Sequence, residues 1–187
     1  MNTRTFLVRW AIAGLLWICS ASWAQELSIE TSGQNGVITV SASATMRVQL
    51  STAWSVITDY DHLAEFIPYM SSSRVVQRNG EQLLVEQAGA ITFLFLQQPI
   101  EVRLAVTEWP QQRITARAVG GNLKKMNGSY TLEALPSGEV QLSYSASLLP
   151  DFAVPPVLGT LVVRNVLARQ FTAMVDEIMR RDAQALR

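Results

Sequence analysis

Alternation organises the middle of this chain, and a helical rhythm closes it. From Val37 onward, Ile38, Val40, Ala42, Ala44 and Met46 alternate with Thr39, Ser41, Ser43 and Thr45, the period of a strand with one apolar face. Ahead of it, Gln25 to Gly36 is polar and reads as a loose lead-in. Ser51 is placed to cap a short helix whose stripe is Ala53, Trp54 and Ile57, and a second helical turn at Asp61 to Phe66 is stopped by Pro68. Strand signals then repeat as in an antiparallel meander. Arg74 to Arg78 and Gln82 to Gln87 flank Asn79-Gly80, a two-residue hairpin signal. Ile91 to Leu96 is a continuous apolar run. Ile100, Val102, Leu104 and Val106 alternate with Glu101, Arg103 and Thr107. Ile114, Ala116 and Ala118 follow, then Tyr130, Leu132 and Ala134, then Val140, Leu142, Tyr144 and Ala146. The last stretch, Val157 to Asp182, carries Val163, Val166, Leu167, Phe171, Met174, Val175 and Ile178 at the spacing of a one-sided helix. Asp176 with Arg180 and Glu177 with Arg181 stand four apart on its expected solvent face.

The pattern predicts an α+β domain: strand, two short helices, about six strands, one long helix. A sheet's apolar face must be covered, and here one helix has to do it. Ala42, Ala44, Ala116, Ala118 and Ala146 point inward on several strands and supply little volume. Ordinary cores leave few voids. The expectation is therefore an apolar cavity of ligand size, on the order of 300–1,000 Å³.

The N-terminus changes the compartment. Arg4 and Arg9 precede an apolar run from Trp10 to Cys19, and Ser22-Trp23-Ala24 offers small residues to a signal peptidase. Residues 1–24 read as a cleaved signal peptide, 25–36 as the lead-in and 37–187 as the domain, exported to the periplasm. Taking Arg4 and Arg9 from 15 basic side chains leaves 13 against 15 acidic ones, so there is no basic footprint for nucleic acid. Cys19 is the only cysteine, which leaves the exported domain without disulfides.

Reactive chemistry is poorly supplied. With one histidine, metal chemistry and a Ser-His-Asp arrangement both depend on His62, and Asp59, Asp61, His62 and Glu65 lie where helix starts favour acids. No cofactor, metal or catalytic residue is assigned. Gly120-Gly121-Asn122-Leu123-Lys124 lacks the tail of a phosphate loop and reads as a hairpin turn. A cyclase or dehydratase needs ionisable groups inside the cavity. Glu86, Arg117 and Glu133 are the candidates, and alternation sends the last two outward.

Trp54-Ser55-Val56-Ile57-Thr58-Asp59-Tyr60 followed by Phe66-Ile67-Pro68 resembles the START-like (SRPBCC) superfamily, within it the polyketide cyclase/dehydrase and coenzyme Q-binding START-domain group. The Gly128 to Leu132 strand, the Pro150 to Pro156 segment and the closing helix add to the likeness, which spans residues 37 to 182. The resemblance implies a helix-grip fold, a curved antiparallel sheet of about seven strands wrapped around the C-terminal helix. It also implies a hydrophobic cavity that holds lipids, quinones, hormones or polyketides. The cavity residues expected here are Phe66, Met70, Phe93, Phe95, Leu104, Ala116, Tyr130, Tyr144, Phe152, Val163, Leu167 and Phe171. The expected partner is a lipid or other apolar small molecule. Transient membrane contact would come through entrance loops at Phe66 to Ser73 and Leu149 to Leu158.

Overall fold

The alternating stretches become strands of one sheet in the computed structural model, which describes residues 27–34, 36–93, 96–151 and 156–187. The expected signal peptide, Phe95 and Phe152 lie outside these residues. In chain order the elements are β1 (Leu27–Gln34), β2 (Val37–Met46), α1 (Leu50–Ile57), a single 3-10 turn (Tyr60–His62), α2 (Leu63–Phe66), β3 (Met70–Asn79), β4 (Gln82–Phe93), β5 (Leu96–Trp109), β6 (Arg113–Gly121), β7 (Leu123–Ala134), β8 (Val140–Pro150) and α3 (Pro156–Ala185). The sheet order is β1-β2-β8-β7-β6-β5-β4-β3, with every described pairing antiparallel. β1 and β3 are its edges. The helices follow β2, and α3, about 45 Å long at 1.5 Å per residue, lies on the sheet's apolar face. This is the helix-grip arrangement.

Several expectations need correction. The sheet has eight strands because the lead-in is not loose: β1 pairs with β2 from Leu27↔Ala44 to Gln34↔Val37. Gly36 has φ +78, a left-handed conformation open to glycine. At the other edge the hairpin loop is Gly80-Glu81, one residue later than Asn79-Gly80, since Asn79 pairs with Gln82. The run from Ile91 to Leu96 is not one strand. β4 extends through Phe93, which pairs with Leu96 at the start of β5. Ser51 does not cap α1; Gln49 is the N-cap, and its backbone N–H donates to Asp182 Oδ1 of α3 at 2.9 Å.

Inward positions make the core. Val85, Leu142, Val56, Phe171, Val175 and Ile178 are its largest fully buried side chains, drawn from sheet, α1 and the second half of α3. The other face of the sheet carries the polar partners, including Glu86 bridged to Arg74 and Arg103 at 2.6 Å each, and Ser129 Oγ 2.9 Å from Ser145 Oγ. Glu86 thus joins Arg117 and Glu133 outside the core, both of which are exposed.

A charged clasp fastens the second half of α3 to the α1–α2 connection. Glu177 is buried rather than solvent-facing, and it takes both arginines: Arg180 at 2.6 Å and Arg181 at 2.7 Å. Arg180 therefore does not pair with Asp176. Arg181 also donates to Asp59 Oδ2 at 2.7 Å, while His62 Nδ1 lies 2.6 Å from Asp59 Oδ1, and the Arg181 guanidinium sits 5.6 Å from the Phe66 ring centre. Asp61 Oδ1 accepts from the Val75 N–H at 2.7 Å. Of the residues weighed for a metal or triad, Asp59, Asp61 and His62 are thus occupied in holding elements together. Among the described residues no group of three or more His, Cys, Asp or Glu could hold a metal.

The hydrogen bond from Arg180, foremost, together with that from Arg181, outweighs burial and holds the Glu177 carboxyl down at about 2, against 4.5 for a free glutamate. At Asp59 burial opposes ionisation, but hydrogen bonds from His62 and Arg181 prevail and the value is again lowered. A carboxyl lowered on folding stabilises above its unfolded value and loses that contribution as pH falls through the folded one. Thermal melts should accordingly show Tm falling between pH 4.5 and about 2. Glu177→Gln should lower Tm at neutral pH and flatten this acid limb, as circular dichroism melts across the pH series would register.

Candidate functional site

Between the sheet and the first half of α3 the core opens. A cavity of about 270 Å³ is lined by inward residues of β4 to β8, by Ile57, Tyr60, Leu63 and Ile67 below it, and by Val163, Val166, Leu167, Gln170 and Met174 of α3. This is just under the 300–1,000 Å³ range typical of ligand sites. The shortfall of volume arises as the alternation implies: Ala116 and Gly128 pair across β6 and β7 and bring almost no side chain to the centre of the sheet.

The lining is apolar and uncharged. Among the described residues no Asp, Glu, Lys, Arg or His borders the cavity. Its polar side chains are neutral, chiefly Gln87, Gln170 and four tyrosines at 60, 69, 130 and 144. Tyr130 and Tyr144 stand opposite each other on β7 and β8, ring centres 4.6 Å apart and tilted by 34°. Burial pushes Tyr144 up to about 12; burial and then the neighbouring Tyr144 push Tyr130 further above its usual range. Both phenols are therefore protonated at neutral pH, fit to hydrogen-bond a carbonyl or head group rather than to act as bases.

The rim is tied by backbone geometry. Tyr69 has φ +65, uncommon for a residue with a side chain. Its hydroxyl accepts from Arg169 Nη1 at 3.0 Å, and Gln170 Nε2 donates to the Pro68 carbonyl at 3.0 Å, so α3 grips the connection between α2 and β3. The Tyr69 carbonyl accepts from the Ala90 N–H at 3.0 Å, and a Cβ on Gly89 would stand 2.1 Å from that same oxygen. Only glycine permits this approach. The expected entrance loop at Phe66 to Ser73 is thus only Ile67–Tyr69, the remainder belonging to α2 and β3. Of the second, Leu149 and Pro150 belong to β8 and Pro156 onward to α3, while 152–155 lie outside the described residues.

Of the residues expected at the cavity, Met70, Leu104, Ala116, Tyr130, Tyr144, Val163 and Leu167 line it. Phe66 and Phe171 do not. At roughly 100° per residue, Val163, Val166, Leu167, Gln170 and Met174 fall on one stripe of α3, and Phe171, Val175 and Ile178 on the next. Phe171 is accordingly spent in the closed core, and Phe66 packs against that core beside Arg181. Phe93 closes β4, but its side chain, like Phe95 and Phe152, lies outside what is described. Sequence reasoning passed over Tyr60 and Glu108. Val102, Leu104 and Val106 alternate inward on β5, and the same period places Glu108 inward, where it is buried. That parity was the available signal.

The fold and its apolar hollow define a START-like helix-grip domain. The chain belongs to the family described as polyketide cyclase / dehydrase and lipid transport, which matches residues 46–175. Among curated protein sequences none matches it. Solved structures share the fold at low identity. The Zhui aromatase/cyclase of a Streptomyces species is 13% identical with TM-score 0.66, covering 81% of this chain and 96% of its own. A STAR-related lipid transfer protein from Xanthomonas axonopodis is 11% identical with TM-score 0.63, covering 83% and 98%. A START superfamily protein from Mycobacterium smegmatis is 15% identical with TM-score 0.60, covering 79% and 98%.

Gly89→Ala should destabilise the domain by about 1–3 kcal/mol, the usual cost of a forced backbone shift. Urea unfolding would measure it, and amide exchange should rise first at Ala90, whose N–H bonds to Tyr69.

Proposed function

We propose that this protein binds an apolar small molecule or a lipid chain in the cavity between the sheet and α3, outside the cytoplasm. The uncharged lining carries the reading. A hollow bordered by Leu104, Val106, Ile114, Ala116, Met126 and Leu167 gains free energy by removing apolar surface from water, about 25 cal/mol per Å² before association costs. Catalysis of the cyclase or dehydratase kind has less support. It calls for ionisable groups meeting in the cavity, whereas Glu86, Arg117 and Glu133 lie on the other face and the paired tyrosines are held neutral. Exposed apolar side chains at Tyr69 beside the rim and Leu161 on α3 suit brief contact with a membrane during ligand exchange. The export reading rests on Arg4, Arg9, the apolar run and Ser22-Trp23-Ala24.

Native mass spectrometry of protein never delipidated should reveal a co-bound apolar molecule, and an apolar fluorophore should brighten on binding. Ala116→Trp, which fills the hollow, should abolish fluorophore binding while the melting curve stays cooperative. A wild-type protein that comes out empty and leaves the fluorophore dark would defeat the reading. Expressed from its full gene in a Gram-negative host, the protein should appear in the periplasmic fraction with Gln25 at its N-terminus. Retention of Met1 in the cytoplasm would remove the export claim.

A further inference from the structure

Most of the polar side chains that line the cavity are already engaged. Gln170 donates to the Pro68 carbonyl and the Tyr69 hydroxyl accepts from Arg169, both at the rim. Gln87 donates to Ser73 Oγ at 3.3 Å, and Ser129 is bonded to Ser145 on the outer face of the sheet. The Tyr60 hydroxyl is shut away beside the Glu108 carboxylate. Tyr130 and Tyr144 are left. Among the described residues neither of their hydroxyls has a hydrogen-bond partner, and neither is closed off as that of Tyr60 is. Both rings rise from the inner face of the sheet, where they pack against the core, so the space their hydroxyls open on is the cavity. Tyr144 also packs against the cluster of Ile38, Val40 and Val163, which puts the pair beneath the first half of α3. A hydroxyl so placed is satisfied by water or by a ligand.

We propose that Tyr130 and Tyr144 form the polar anchor of the cavity and donate to the carbonyl oxygen of an uncharged, otherwise apolar ligand, a ketone or an ester. This rests on the cavity-binding reading and narrows its ligand class. The two tyrosines stand opposite each other on β7 and β8 with ring centres 4.6 Å apart, so their hydroxyls share one stretch of wall. A carbonyl oxygen has two lone pairs and can accept from both. Burial keeps both phenols protonated at neutral pH, so each has a proton to give. Charge sets the neighbouring classes apart. A carboxylate or an ammonium would enter a hollow whose described walls carry no opposite charge, and an ion buried without a partner is strongly disfavoured. A free fatty acid is thus a poorer fit than its ester. A hydrocarbon would displace cavity water and leave both hydroxyls unsatisfied.

Methyl heptyl ketone, decane and octanoate, which have the same number of non-hydrogen atoms, test this by displacing the cavity-bound fluorophore. At neutral pH the ketone should bind roughly tenfold or more tighter than octanoate. Tyr130→Phe and Tyr144→Phe should each weaken the ketone roughly two- to tenfold, the value of a neutral hydrogen bond, and leave decane unchanged. Because neither hydroxyl holds a protein partner, neither change should lower Tm. In the infrared, the carbonyl stretch of the bound ketone should lie below its frequency in heptane and move back up in each variant. A stretch at the heptane frequency in the wild type, or one that neither variant moves because a resident water supplies the bond, overturns the anchor and leaves cavity binding intact. Octanoate binding as tightly as the ketone overturns the uncharged ligand class. A wild type that never takes up the fluorophore overturns the cavity reading and the anchor with it. The infrared measurement on the wild type stands even if a variant fails to fold.

Discussion

Everything in this molecule depends on how the second half of α3 is seated. Phe171, Met174, Val175 and Ile178 enter the core formed by α1 and the inner face of the sheet, and all four are almost wholly buried. Glu177 and Asp182, buried on the same half, tie it through Arg181 to Asp59 and directly to the Gln49 N–H. A helix is a straight rod, so fixing one half dictates where the other half lies. The first half is held over a part of the sheet that Ala116 and Gly128 leave shallow, and the gap between them is the cavity.

The electrostatic arrangement follows from the same geometry. Charges are sorted to the far face of the sheet, as in the Arg74–Glu86–Arg103 bridge, or to the clasp at the closed end of α3. What faces the hollow is hydrocarbon with a few neutral hydroxyls and amides. Such a lining holds a ligand by excluding water and orients it by single hydrogen bonds. Glu108 is the one carboxylate on the inward row, and Arg78 balances it from outside. Family membership alone does not choose between transport and cyclisation, because the family's description names both. The described walls carry no charged side chain, and the proposed binding of an apolar molecule rests on that lining.

Much of the fold was legible because strong patterns wrote it. The six strands from β3 to β8 and the long helix follow from periods of two and 3.6, and a strand with one buried face cannot slip by one residue without exposing that face. β1 escaped notice because it is an edge strand. Ile29 is its main apolar inward residue, and most of its remaining positions are polar enough to pass for a loop. Ser51 looked like a cap by residue type, yet α1 begins at Leu50 since the backbone of Gln49 is bonded to Asp182, far away in sequence. The bond from Arg181 to Glu177 follows the count of four residues along a helix, whereas the second bond, from Arg180 three residues on, and the burial of Glu177 were not legible that way.

At the site the division is similar. Strand parity placed Leu104, Ala116, Tyr130 and Tyr144 on the inner face, and helical spacing placed Val163 and Leu167 toward the sheet. These are local consequences of residue order, so the sequence by itself determined them. That Phe171 closes the core while Leu167 opens on the hollow was decided by the rotation of α3, which long-range packing sets. The size of the hollow and the meeting of Tyr60 with Glu108 also belong to tertiary structure. They depend on distances between elements far apart along the chain, and no local period encodes such distances.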